Sequence, residues 1–162
     1  MIRAIFLDVD GTLISFSTHE IPASARRALT QAHERGVRLF IATGRAANDL
    51  GPLEGIPYDG VVSLNGARCV ANDGRVVSLH PIPRADFERA LALSEEQDFA
   101  MGLELEEGVF VNRVTPDVKR VAHMVAHPVP EQTDLRELFG RVECCQLCFY
   151  FDAETQRRVM AE

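Results

Sequence analysis

Phe6-Leu7-Asp8-Val9-Asp10-Gly11-Thr12-Leu13 is the stretch that decides the fold. It closes an apolar run over residues 2–9 that only Arg3 and Asp8 interrupt. Such a run suits a strand covered on both faces, as in a parallel sheet. Sheets of this kind bind ligands outside the carboxyl ends of their strands. Two carboxylates two residues apart repel each other there unless something positive sits between them. A magnesium ion answers that need, because it prefers hard oxygen ligands and keeps some of its water. Gly11 lets the chain turn away at once. Asp-Gly is also an ordinary turn signal, but a turn does not need a second Asp at the end of a buried strand.

Downstream of this stretch, Pro22 can open a helix. Ala25, Ala28, Leu29 and Ala32 then recur at helical spacing, and Gly36 supplies a stop. Residues 37–42 read as a second buried strand, residues 45–53 as a short helix closed near Gly51-Pro52, and residues 60–64 as a third strand. The order β-α-β-α-β implies right-handed crossovers and an α/β fold with a doubly wound, Rossmann-like parallel sheet. The texture then changes. Residues 68–70 and 76–80 flank Asn72-Asp73-Gly74, a hairpin signal. Pro81 and Pro83 mark a boundary, so the expected domains are 1–81 and 82–162. Beyond it, residues 84–97 and 117–126 read as helices, 100–105 and 109–113 as a hairpin, 142–151 as a strand and 153–162 as the start of a helix. This half is an α+β unit of antiparallel character.

Thr43-Gly44-Arg45 ends the second strand and opens the expected helix. A hydroxyl, a flexible backbone and a helix N-terminus together form an anion site. Read alone, the tripeptide is equally a turn with a helix cap, and its value lies in its place beside the Asp pair.

The formal net charge is -7, with 46% hydrophobic and 25% charged residues. An acidic surface repels nucleic acid and anionic lipid, so neither is an expected partner. No apolar run approaches the roughly 20 residues that span a bilayer, and the first dozen residues lack the pattern of a signal peptide. Cys144, Cys145 and Cys148 invite a metal reading. On a strand, however, Cys145 and Cys148 point to opposite faces. Buried small hydrophobes in a reducing cytoplasm are the expected reading, with metal or redox chemistry as the alternative.

Phe6 to Leu13, with Ile41-Ala42-Thr43-Gly44-Arg45 and then Ser63-Leu64-Asn65-Gly66-Ala67, resembles the Cof-type branch (subfamily IIB) of the haloacid dehalogenase-like hydrolases. The resemblance covers the whole chain, with the second half matching an inserted α+β cap in element order. It implies a magnesium-dependent phosphatase that acts on small phosphorylated metabolites, sugar phosphates first among them. Asp8 is implied as the nucleophile, forming an aspartyl-phosphate. Asp10 is implied as the acid that protonates the leaving alcohol and then the base that activates water. The Asp8 carboxylate and the Asp10 backbone carbonyl are implied as the metal's ligands. Thr43 and the Gly44 N–H are implied as phosphate contacts, with Gly11, Thr12, Arg45 and Asn65 also lining the site. Arg45 can equally be a surface residue at a helix start, and Asn65 a turn-forming residue before glycine.

The same resemblance implies a phosphate-binding lysine after the cap and a late Gly-Asp-x-x-x-Asp-type motif, which this sequence does not show. Lys119 is its one lysine and reads as a solvated helix residue. The expectation is therefore an N-terminal portion of a core plus its cap, inactive on its own. Its first strand would lie at a sheet edge and pair with another copy or with a missing C-terminal polypeptide. Two rivals stand beside this reading. One is a degenerate relative that binds or does nothing. The other is a response-regulator receiver, which needs an Asp at the end of the third strand, where this chain has Ser63-Leu64-Asn65.

Overall fold

The structure is a computed structural model, and it describes residues 2–15, 17, 18, 20–125 and 127–161. The positions at which the helices expected over 117–126 and 153–162 end, 126 and 162, lie outside the described residues. The chain divides into two compact units, Met1–His80 and Pro81–Glu162.

The first unit is built on a five-stranded sheet in the order β1-β2-β3-β4-β5. Its strands are β1 (Ala4–Leu7), β2 (Arg38–Ala42), β3 (Gly60–Ser63), β4 (Arg68–Ala71) and β5 (Val76–Leu79). The first three are parallel, with Ile5 beside Leu39, Leu7 beside Ile41, and Ile41 beside Val61. The last two turn back antiparallel. The unit is thus an α/β fold of Rossmann-like type, and β1 stands at one end of the strand order. Helix α1 (Ala23–Glu34) starts after Pro22, whose fixed φ suits a helix entrance. Gly36, at φ +83°, reverses the chain into β2 in a conformation that side chains resist.

One sheet face carries the core. Leu39 and Ile41 are fully buried, joined by Val9, Ile14, Ile21, Leu53, Ile56 and Val61. The other face bears Phe6, 62% exposed, stacked on Phe40 at 4.9 Å between ring centroids.

The connection between β2 and β3 departs from expectation. Residues 45–50 form bends and turns, and a 3-10 turn covers Gly51–Leu53. A helix this short is marginal in isolation. Tertiary partners take over instead. Arg26 on α1 donates to the carbonyls of Pro52 (3.0 Å) and Glu54 (2.8 Å), and Leu64 N–H donates to the Arg45 carbonyl (3.1 Å).

The second unit holds a four-stranded sheet in the order β8-β7-β6-β9. Its strands are β6 (Ala100–Leu105), β7 (Gly108–Val111), β8 (Glu131–Gln132) and β9 (Gln146–Tyr150). Helices α2 (Arg84–Glu96) and α4 (Leu135–Phe139) share a core with Met101, Leu103 and Leu105, in which Phe87 and Phe139 stack at 4.0 Å. Helix α3 (Pro116–Met124) sets Val118 against Ala100, Val111 and Tyr150 on the opposite face. The last helix is α5 (Ala153–Val159), whose Arg158 donates to the Gln97 carbonyl at 2.7 Å. Strand β8 and helix α4 were not foreseen, and β9 is shorter than the expected 142–151.

Cys144 is buried, and burial pushes its thiol up to about 11. Burial also pushes Cys148 up to about 12, with the nearby Glu104 charge adding to it. Both surroundings favour the protonated thiol over the thiolate. Cys148 differs from the simple hydrophobe expected, since its Sγ donates to Glu104 Oε2 at 3.5 Å. Among the described residues, no three potential ligands converge in this unit, and no helix is long and apolar enough to cross a membrane.

Candidate active site

Because β1, β2 and β3 are parallel, the segments that follow them emerge at the same sheet end. Those segments hold Asp8–Thr12, Thr43–Arg45 and Leu64–Gly66.

After β1 the chain winds back on itself. The Val9 carbonyl accepts from the N–H groups of Thr12 (3.3 Å), Leu13 (3.0 Å) and Ile14 (2.8 Å), and Gly11 N–H donates to the Ile14 carbonyl (2.8 Å). Gly11 sits at φ +80°, which a side chain would strain. Val9 and Leu13 face the core, while Asp8 and Asp10 on either side of Val9 are exposed. The alternation of a strand therefore continues just past its end, and two acids reach solvent around one buried valine. The Thr12 hydroxyl donates to Asp8 Oδ2 at 2.9 Å. Thr12, expected among the phosphate contacts, here holds the carboxylate.

After β2, Thr43 N–H donates to the Val62 carbonyl (2.9 Å), and the Thr43 carbonyl accepts from Asn65 N–H (3.1 Å). The Thr43 hydroxyl accepts from Arg45 N–H at 3.2 Å. Thr43 is buried, so it braces the loop as well as bordering the site. A Cβ on Gly44 would lie 3.2 Å from Asn65 Oδ1, so glycine permits a close approach between the second and third segments. The expected helix N-terminus at Thr43-Gly44-Arg45 is absent, since residues 45–50 turn without an α-helix. The loop is ordered by these cross-strand bonds instead.

After β3, Leu64, Asn65 and Gly66 have φ of 49°, 54° and 94°. Left-handed backbone suits glycine and is tolerated by asparagine, but it costs a residue such as leucine about 1–2 kcal/mol. Such strain tends to be stored at functional sites. The Asn65 side chain also lies against Gly44, so the segments after β2 and β3 meet here.

Arg45 ties the segments together. Its Nε donates to Asp10 Oδ2 and its Nη2 to Asp10 Oδ1, both at 2.8 Å. This is a bidentate fork, the strongest geometry for such a pair. Its Nη1 reaches Asp49 through the carboxylate (3.3 Å) and the main-chain carbonyl (3.2 Å). The hydrogen bonds to Asp10 raise the Arg45 pKa against the opposing effect of burial, with the charges of Asp10 and Asp49 adding to it. Arg45 is thus held within the site and is not a loose surface side chain. Sequence reasoning missed Asp49. Its spacing from Arg45 was visible, but within a supposed helix it reads as an ordinary i,i+4 surface pair. An open hollow of about 620 Å³, lined by residues 47, 48, 50, 51, 53–58 and 72, includes none of the expected site residues.

A pair of carboxylates at one strand end, joined to a Thr-Gly-Arg segment at the next, matches a known family along nearly the whole chain. The model of the haloacid dehalogenase-like hydrolases matches residues 5–162. The chain belongs to the haloacid dehalogenase-like hydrolases. Among solved structures, BT1666 from Bacteroides thetaiotaomicron, described with the phosphatases of this superfamily, is 53% identical. It superposes with a TM-score of 0.92 over 99% of this chain and 60% of its own. The subclass IIB sugar phosphatase BT4131 is 29% identical, with a TM-score of 0.82 over 98% of this chain and 62% of that one. The "Putative phosphatase YkrA" of Bacillus subtilis (strain 168) is 30% identical over 95 residues, 58% of this chain and 36% of YkrA. The chain thus spans about three fifths of the length of the two solved relatives.

The family raises the question of a magnesium ion. The donor chemistry present fits one, because the exposed Asp8 carboxylate is a hard oxygen ligand at the mouth of the site. The Arg45 fork engages the Asp10 carboxylate, which agrees with a ligand set that uses the main chain of Asp10 and not its side chain.

Proposed function

We propose that this protein is a magnesium-dependent phosphatase that hydrolyses small phosphorylated metabolites through an aspartyl-phosphate on Asp8. The observation that carries the reading is the division of labour between the two acids. Asp8 is oriented by a neutral hydroxyl, and Asp10 is held by a guanidinium. Two like groups in unlike surroundings are suited to unlike roles.

In this mechanism an Asp8 carboxylate oxygen attacks phosphorus and the bond to the ester oxygen breaks. Asp10 gives its proton to the departing alcohol. Asp10 then takes a proton from water as that water attacks the phosphorus of the aspartyl-phosphate. Inorganic phosphate leaves and Asp8 is restored. In this reading Thr43 and the Gly44 N–H would hold phosphate oxygens, with Asn65 beside them. Asp8 and the main chain of Asp10 would hold magnesium, which supplies positive charge against the phosphate oxygens. The similarity to a sugar phosphatase supports sugar phosphates as the substrate class. The second unit then serves as the cap that selects among them. The acidic balance of the chain favours such small substrates over nucleic acid or a lipid surface.

A second reading is that the chain keeps the fold and the binding residues but does not turn substrate over. The observation favouring it is that Lys119, the single lysine, lies on α3 of the second unit, while two acids supply the carboxylates at the strand ends. Mass spectrometry after exposure to p-nitrophenyl phosphate and magnesium separates the readings. The first expects magnesium-dependent phosphorylation of Asp8 that Asp8→Asn removes, with sugar-phosphate hydrolysis following it. Label on Asp8 without hydrolysis selects the second. Neither label nor hydrolysis at saturating substrate would sink the first.

A further inference from the structure

We infer that Asp49 is a positioning residue for the steps that use Asp10, acting through Arg45. The inference rests on the reading of Asp10 as proton donor and acceptor.

A planar guanidinium held along one edge can pivot about that edge. The Arg45 fork meets Asp10 along the edge formed by Nε and Nη2, and Asp49 holds the remaining nitrogen, Nη1, at two points. The root of the side chain is fixed as well, since Arg45 N–H donates to the Thr43 hydroxyl and its carbonyl accepts from Leu64 N–H. With root, fork and far nitrogen all restrained, the plane of the guanidinium is set, and the Asp10 carboxylate is set with it.

Asp49 is also anchored. Its N–H donates to the Ala46 carbonyl at 3.1 Å, closing the turn that replaces the expected helix. On a helix, a pair at this spacing would lie along the outer surface and contribute a few tenths of a kcal/mol. Here the turn aims Asp49 at an Arg45 side chain that is 22% exposed and already committed to an acid of the site. The pair therefore acts in the site and not on the surface.

The effect of losing Asp49 should fall on the two steps that use Asp10. With p-nitrophenyl phosphate the departing phenolate needs little protonation, so formation of the phosphorylated protein leans least on Asp10. Release of Asp8 by water leans on it most, because the base must sit within reach of that water, and small misplacements are costly. Asp49→Ala is expected to lengthen the life of the phosphorylated protein about tenfold while leaving its rate of formation within about twofold. KM should hardly change. Asp49→Asn keeps a side-chain acceptor and should stay within about threefold of wild type in both steps.

The test uses the whole chain with 15N-labelled arginine. The Arg45 Nε–Hε resonance, assigned by its loss in Arg45→Lys, is expected to exchange slowly with water in the wild type. Exchange should quicken severalfold in Asp49→Ala and not in Asp49→Asn, with the backbone amide spectrum unchanged in both. Phosphorylated-protein lifetimes are measured on the same three proteins. Wild-type Hε exchange in Asp49→Ala overturns the inference and leaves the phosphatase reading standing. Faster exchange with an unchanged lifetime also overturns it, because Asp49 would then order Arg45 without consequence for Asp10. A wild type that never becomes phosphorylated overturns the phosphatase reading itself, and the inference falls with it.

Discussion

The two units solve the same packing problem differently. In the second, both sheet faces are covered by helices, and Phe87, Met101, Leu103, Val111 and Val118 are fully buried. In the first, α1 and the 50–56 crossover cover one face, while the other shows Phe6 to solvent and the strand ends carry exposed acids and left-handed backbone. The second unit departs from the local rules at scattered residues, such as Asp98 at φ +59°, whereas the first gathers its departures at the strand ends. Sites of chemistry are expected where such rules are broken.

That contrast can be broken most sharply at Asp8. Asp8→Asn should remove phosphoryl transfer, a loss of at least about 10³-fold, while thermal unfolding shifts little because the side chain is exposed. Residual label on the variant, measured by mass spectrometry, within tenfold of wild type would refute the nucleophile. The opposite signature belongs to the second unit. Phe87→Ala empties a fully buried site stacked on Phe139 and should cost about 3–5 kcal/mol by denaturant unfolding. A cost below about 1 kcal/mol would mean that this core is not the rigid one described.

Asp59 sharpens the comparison from within the first unit. Its carboxylate accepts from Leu39 N–H and from Arg38, both at 2.9 Å, and lies 3.5 Å from His33. Burial pushes its pKa upward, but the Leu39 N–H, Arg38 and His33 outweigh it and hold the carboxyl below its ordinary value. A carboxyl depressed in the folded state stabilises fully above its unfolded pKa, about 3.9. That contribution is lost as pH falls through the lower folded value. Asp59→Asn should therefore cost about 1–3 kcal/mol at neutral pH and little at the acid end, read as converging urea midpoints. A constant difference across the titration would show that charge is not the cause.

The smallest effect on stability is expected at Phe6. Its exposure next to the free side of β1 makes that edge the proposed site of pairing with a second copy or another polypeptide. Phe6→Lys should change unfolding by about 0.5 kcal/mol or less and reduce the particle mass seen by light scattering. A wild-type chain that scatters as an 18.0 kDa monomer would count against the pairing.

The sequence made the first unit legible where periodicity and chemistry coincide. The run ending at Asp8 and Asp10, the Pro22 entrance to α1 and the Asn72-Asp73-Gly74 turn each carry a local physical cause. It failed where tertiary contacts overrule local preference. The 45–53 segment has helical spacing but is held by Arg26 and Leu64 from outside. Strand β8 is two residues long and follows Pro128 and Pro130, so it has no period to detect. Helix α4 spans five residues and depends on the Asp134 side chain accepting from Arg136 and Glu137 N–H. In the site, Asp8 and Asp10 were readable, whereas Asp49 became visible only once the supposed helix proved to be a turn.

The parallel pairing of β1 and β2 also has a consequence in time. Ala4 meets Arg38, so the strand that leads into Asp8 is made before its partner and stays unpaired with it until α1 and β2 have followed. The β4–β5 hairpin needs only a tight turn to close, and loops of that size form within microseconds. Long-range parallel pairing is the slow part of such a fold. Asp8 is therefore made before β2 but reaches its place only once β2 has arrived, and nascent chains paused before residue 38 carry Asp8 after an apolar strand that is still unpaired.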